Sequence, residues 1–404
     1  MKCETRNMVW LLGGVLMLLL TACSSSSETD VEDERPTVIT FYVYPPDKSM
    51  TTRAGEDKQV NALTNEHVIK SLQIWVFTHD DTNTANDGKL VGYLNPVDFP
   101  TTTDTDGKIY QMAVSKDFAD AASKPNVDVY VVANAAAVGL TLDGNSSRDD
   151  LNDAKIGTAY FGVTNPCSTI DPDKGLPMSG VLRNQAVVGE NPVFRIGNYD
   201  NMAKVQLQRA VSKVRFVFCI QQGTDTSETP TITGLTLDEN IFPEEEYLFL
   251  GSDGKAYRIG NNYISTKTTL LPSSIYPNAI VPPMCDDPSK YIYDSQVFTT
   301  AQAYENKIDE GVNGTESDPD HKELAQVGPF YFHETDRKIS GSITYKVGDE
   351  TRQPKAFSMV AENGFSRNHS WIVYVYYGAD GLDVLTVYVN EWTIATQDHT
   401  VYNW

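Results

Sequence analysis

Positive charge is scarce in this sequence: 32 Lys and Arg stand against 54 Asp and Glu in 404 residues, a net charge of −22. Displacing counterions from a nucleic-acid backbone needs a basic face, so nucleic acid is excluded as a partner. Cysteine is scarce too. Of five, Cys3 falls in a leader and Cys23, the residue that follows it, is used for lipid, so Cys167, Cys219 and Cys285 remain and allow at most one disulfide. That excludes a disulfide scaffold, and the three lie too far apart for a zinc ribbon. The six histidines, at 67, 79, 321, 333, 369 and 399, include no pair at metal-helix spacing. The sequence lacks a P-loop, a G-x-G-x-x-G after a strand and a G-x-S-x-G. No enzyme, cofactor or metal is therefore expected. Three weak features each have a plain reading. Asp104, Asp106 and Gly107 hint at a calcium loop, but its twelfth position falls on Ala113, where a bidentate Glu is required. The run Glu244, Glu245, Glu246 reads as a solvated face rather than a carboxylate pair for sugar hydrolysis. His333 and Glu334 read as a solvated loop end.

What is present begins with a targeting segment. Lys2 and Arg6 precede an apolar run from Met8 to Leu20, too short to span a bilayer comfortably, and Leu20, Thr21, Ala22, Cys23 close it as a bacterial lipobox. Small residues admit the peptidase, and the Cys23 thiol becomes the acylated terminus. Ser24–Ser27 and the acidic stretch through Glu34 form a polar tether.

Beyond the tether, short alternating apolar segments dominate, and 40% hydrophobic residues suffice for a real core. Strands are predicted over Thr37–Tyr44, Ser71–Thr78, Ile109–Val114, Val127–Ala133 and Val205–Ile220. Ser71–Thr78 is apolar on both faces and hence central. Short helices are predicted over Ser115–Ser123 and Ser147–Ala154, the latter capped by Ser147 with Asp149 and Asp150 in its first turn. Trp371, Val373, Val375 and Tyr377 face Leu385, Val387 and Val389 across a turn at Gly378–Gly381, the clearest hairpin. Trp75, Trp371 and Trp392 sit in strand patterns and are assigned to core. Turn-rich residues at Ile196–Asp200 mark a change of segment, giving an all-β chain: signal peptide 1–22, tether and first strand 23–53, one sandwich over 54–204 and a second over 205–404.

Arg53 stands in the polar stretch Thr51, Thr52, Arg53, Ala54, Gly55, directly after the first strand. A trypsin-like cut between Arg53 and Ala54 would remove lipid and strand together.

An ordered set of segments carries a family resemblance: the lipobox, Thr52-Arg53-Ala54 after an early strand, Leu72–Phe77, Val129–Asn134, Leu176–Gly180, Arg209–Val214, Arg367–Trp371, Leu385–Trp392 and the terminal Trp404. In this order they resemble the fimbrillins, structural subunits of the type V pili of Gram-negative anaerobes. The resemblance implies two tandem transthyretin-like β-sandwiches, export as an outer-membrane lipoprotein, and removal of the first strand by an arginine-specific surface protease. It further implies head-to-tail assembly with copies of itself and related pilins into an adhesive fimbrium. Retention of Arg53 points to a stalk or tip subunit rather than a lipid-retaining anchor. The tail Thr393–Trp404, with Ile394, Val401, Tyr402 and Trp404, is then a candidate donor arm. The competing class is a surface lipoprotein that stacks exposed Trp and Tyr on glycans.

Overall fold

In the computed structural model, residues 36–46, 68–100, 107–157, 175–250 apart from 222 and 226, 262–270, 282, 284–285, 325–360 and 364–391 are described. Cys23, Arg53, Ala54, Cys167, Asp104, Asp106, Trp392 and the tail fall outside them. Strands of the first half are β1 (Val38–Tyr44), β2 (Leu72–His79), β3 (Leu90–Leu94), β4 (Lys108–Ala113), β5 (Asn126–Ala133), β6 (Lys155–Gly157), β7 (Met178–Gln185), β8 (Val187–Glu190), β9 (Val193–Ile196), β10 (Lys204–Gln206) and β11 (Gln208–Arg209). Those of the second are β12 (Ser212–Gln221), β13 (Pro230–Leu237), β14 (Glu245–Tyr247), β15 (Thr268–Thr269), β16 (Met284–Cys285), β17 (Ala325–Phe332), β18 (Ile339–Val347), β19 (Glu350–Thr351), β20 (Lys355–Met359), β21 (His369–Gly378) and β22 (Gly381–Glu391).

The fold is all-β, with two short helices, α1 (Lys116–Asp120) and α2 (Arg148–Asn152), and one 3₁₀ turn among the described residues. In the first half, one sheet runs β10-β1-β9-β8 with β4 on the other side of β1, and a second runs β11-β7-β5-β2-β3. Their inner faces share one core, built on Ile39, Phe41, Val43, Trp75, Phe77, Tyr130 and Phe194. β2 is apolar on both faces because it is central, between β3 and β5, and its Trp75 is wholly buried. In the second half, β16-β12-β21-β22 with β17, and β15-β13-β18-β19 with β20, enclose a separate core around Phe216, Phe218, Phe330, Ile343 and Trp371. The terminal hairpin forms as its alternation indicates, with Gly378 paired to Gly381.

Local signals account for the helices. Ser147 accepts from Asp150 N while its own N–H donates to Asp150 Oδ2 at 2.8 Å, a reciprocal cap on α2. α1 is shorter than its sequence pattern. Its chain turns extended at Ala121, and Lys124 Nζ closes the end by donating to Ala119 O and Ala121 O at 2.9 and 2.6 Å.

The single strand expected over Val205–Ile220 is three. β10 pairs with β1, β11 with β7, and only β12 enters the second sandwich. Leu207, between β10 and β11, still belongs to the first sandwich: its N–H donates to Tyr44 O (3.1 Å) and its side chain enters the first core. The turn at Ile196–Asp200 joins β9 to β10, both neighbours of β1, and Asn198 holds it by accepting from Asp200 N and Asn201 N at 3.2 and 2.7 Å.

A strap crosses from the second half to the first. β14 pairs antiparallel with β6, Leu248 and Phe249 join the first core, and Phe249 packs edge-on against Tyr130 at 5.0 Å.

Candidate assembly site

The first strand lies in the middle of its sheet. On one side β4 runs antiparallel, in register from Val38↔Ala113 to Val43↔Lys108. On the other, β9 takes the first part of β1 (Val38↔Val193 to Thr40↔Arg195) and β10 the last (Tyr42↔Lys204 to Tyr44↔Gln206), both parallel. Ile39, Phe41 and Val43 are fully buried, pointing inward at alternate positions. Main-chain bonds flank them: Val38 N to Pro192 O at 2.9 Å, Tyr42 N to Ala203 O at 3.0 Å and Val114 N to Thr37 O at 3.0 Å. Thr40 Oγ1 donates to Phe194 O at 3.0 Å, which explains a polar side chain buried on the outer face. Close packing extends to the turn before β4, where Gly107 has φ +71° and a Cβ would stand 2.9 Å from the Tyr44 ring.

Burying three such side chains contributes on the order of 5–9 kcal/mol, comparable with the whole stability of a domain. Without β1 the sandwich would hold an apolar slot with unpaired backbone along both walls. The sequence marks the strand and the Arg53 step behind it, but not the neighbours on its two sides. Parallel pairing to strands far along the chain leaves no local signature.

The chain re-enters the fold independently of β1. Asn134, at φ 58°, accepts from Lys70 N (2.8 Å) and Ser71 N (3.4 Å) through Oδ1, and donates to Val68 O (2.9 Å) and Leu176 O (2.7 Å). All four bonds lie beyond the segment that contains Arg53.

Two sequence expectations are corrected. His333 and Glu334 are buried rather than solvated, and so is Glu246, while Glu244 and Glu245 are exposed as a charged run should be. The cause is Arg367, fully enclosed, which donates to Glu334 Oε1 from Nη2 (2.7 Å) and Nε (3.0 Å) and to the carbonyls of Tyr247 (2.7 Å) and Leu248 (2.8 Å). Glu246 Oε2 accepts from Glu334 N at 2.7 Å, and Oε1 lies 3.7 Å from Arg367 Nη2. Burial pushes the Glu246 carboxyl well above the ordinary range, with Arg367 opposing and Glu334 reinforcing. His333, its Nδ1 3.0 Å from Pro243 O, is lowered by burial to about 4 and stays neutral. These groups knit the strap to the second half. Among the described residues no group of three or more His, Cys, Asp or Glu is arranged to hold a metal ion. Trp75 and Trp371 are core residues, not a surface for stacking on sugars.

The fold and this site define an all-β protein of tandem sandwiches whose first strand is a central strand of the first. Residues 37–235 match the family model of the major fimbrial subunit protein (FimA), and through them the chain belongs to that family of structural, non-enzymatic fimbrial subunits. The match begins at Thr37, so β1 lies inside it. No curated protein sequence matches the chain. Among solved structures, similar ones include a candidate cell adhesion protein of Parabacteroides distasonis (14% identity, 90% of this chain and 98% of that one, TM-score 0.47). Another is a candidate cell adhesion protein of Bacteroides eggerthii (14%, 89% and 97%, 0.46). A third is the tip fimbrial protein Mfa3 of Porphyromonas gingivalis (13%, 89% and 100%, 0.42).

Proposed function

We propose that the chain is a pilin of a cell-surface fimbrium, exported as an outer-membrane lipoprotein on Cys23, cut between Arg53 and Ala54, and polymerised when a strand of the next subunit fills the place of β1. The observation that carries this reading is the position of β1: a buried centre strand that precedes Arg53, with the fold beyond Val68 pinned separately by Asn134. Once cut, β1 is held by non-covalent contacts alone. An incoming strand satisfies both walls with main-chain bonds and fills the three inward positions with alternate apolar side chains. Such contact is head-to-tail and grows a filament rather than a ring. The precursor then divides into the signal peptide 1–22, the propeptide 23–53, a first sandwich over 54–204 and a second over 205–404, with β10, β11 and the strap residues Leu248 and Phe249 reaching back into the first. The tail Thr393–Trp404 is the candidate donor, and adhesion is the role of the assembled fibre.

Replacing Arg53 by Gln tests the reading. The variant is expected to reach the surface with residues 38–44 still attached and to form no fibre. Fibres of normal length built from uncut subunits would overturn it.

A further inference from the structure

β10 is the weak wall of the slot. It is three residues long, stands at the end of its sheet, and has β1 as its ladder partner; once β1 leaves, that ladder is gone. What then holds it must come from elsewhere, and the contacts around it lead to the second sandwich. One residue beyond β10 and Leu207 begins β11, where Arg209 is fully buried and in register with Met178 of β7. Asn368, immediately ahead of β21, accepts from Arg209 N and from Arg209 Nη1, both at 3.3 Å, and donates its own N–H to Val211 O at 2.8 Å. Its neighbour Arg367 donates to Leu248 O, and that same carbonyl accepts from Ser179 Oγ of β7 at 2.6 Å. Next to Ser179, Gly180 lets β7 lie directly against β10, since a Cβ there would stand 2.7 Å from Gln206 O.

We propose that Asn368, seated by Arg367, is a positioning residue for the assembly site: from the second sandwich it holds β11, and through β11 the β10 wall, in the shape an incoming strand requires. The inference rests on the reading of the β1 slot as that site. It gives the second sandwich a task in strand capture on the first. It also accounts for a residue at φ 58°, a backbone conformation that asparagine tolerates and most side chains do not.

The left-handed backbone supplies a clean test, because Asn368→Gly keeps the conformation and removes the side-chain acceptor, while Asn368→Asp keeps an acceptor. Amide hydrogen exchange is followed in the intact, uncut chain. Leu207 N and Tyr42 N, bonded to Tyr44 O and Ala203 O, report the β10 wall, and Val114 N, bonded to Thr37 O, reports the opposite wall. In Asn368→Gly, which removes the acceptor of both Arg209 bonds, exchange at Leu207 and Tyr42 is expected to rise about fivefold to tenfold with Val114 unchanged, a factor well within what two long hydrogen bonds support. Asn368→Asp is expected to restore both to within about twofold. Unchanged exchange at Leu207 in the glycine variant, or equal acceleration at Val114, would overturn the proposal. Neither outcome depends on cleavage or polymerisation, which the Arg53 variant tests separately.

Discussion

Phe41 and Tyr110 stand in register across β1 and β4, their rings stacked at 6.5 Å and 30° inside the first core. With β9 and β10 paired along its other side, β1 is a central strand whose middle side chain lies in the core. The second sandwich shows the same plan. β12, its first strand, is likewise central, parallel to β21 over Lys213↔Ser370 to Ile220↔Tyr377 and antiparallel to β17. β12 follows directly on β11, whereas β1 precedes the segment that carries the candidate cut. The two halves thus differ in how their centre strand is tethered.

Phe41→Ala in the uncut chain is expected to cost about 3–5 kcal/mol in denaturant unfolding of the first sandwich, the range for emptying a packed aromatic site. Tyr42→Ala, at the neighbouring outward position and half-buried, is expected to cost under about 2 kcal/mol. Equal small losses would show that β1 is not core.

The buried carboxyl of Glu246 gives stability a slope on the alkaline side. Its folded pKa is raised, so the folded chain holds a proton that the unfolded chain has lost. Stability is therefore full below the ordinary carboxyl range and declines as pH rises towards the raised value. Arg367, Glu334 and the neighbouring strap surround the group. Glu246→Gln is expected to flatten that slope, gaining on the parent at pH 9 relative to pH 5 in paired melting curves.

On the acid side the signs reverse. His333 is lowered from 6.5 to about 4, so the unfolded chain takes up a proton first, and on the order of 3 kcal/mol is lost as pH falls across that interval. Further down, the Asp87 carboxylate, held at about 2 by its paired hydrogen bonds with Arg148, contributes stability above 3.8 that vanishes towards pH 2. Asp87→Asn is expected to lower the melting temperature at pH 7 and to leave it unchanged near pH 2.

Lipidation and the donor arm are separable. Cys23→Ala is expected to abolish incorporation of labelled fatty acid and to mislocalise the precursor. Deleting Gln397–Trp404 is expected to abolish polymers after cleavage while the monomer's melting temperature stays nearly constant. A truncated chain that polymerises normally would remove the tail from the donor role.

Much of this was legible along the chain where the signal is local. β1, β2, β4 and β5 declare themselves by alternation or by apolar residues on both faces, and Ser147 with Asp150 by a cap three residues apart. β11 is two residues long and has no period to detect. Glu246 and Glu334 read as solvated because the charge that encloses them, Arg367, lies far away in sequence and reaches them only in the folded chain. The brace at Asn368 was hidden for the same reason: its partner Arg209 is 159 residues distant.

The most direct measurement is the N-terminal sequence of subunits recovered from assembled fibres. The account expects Ala54 as the first residue and no peptide covering 38–44. Fibre subunits that begin at Cys23 and retain Ile39, Phe41 and Val43 would contradict it.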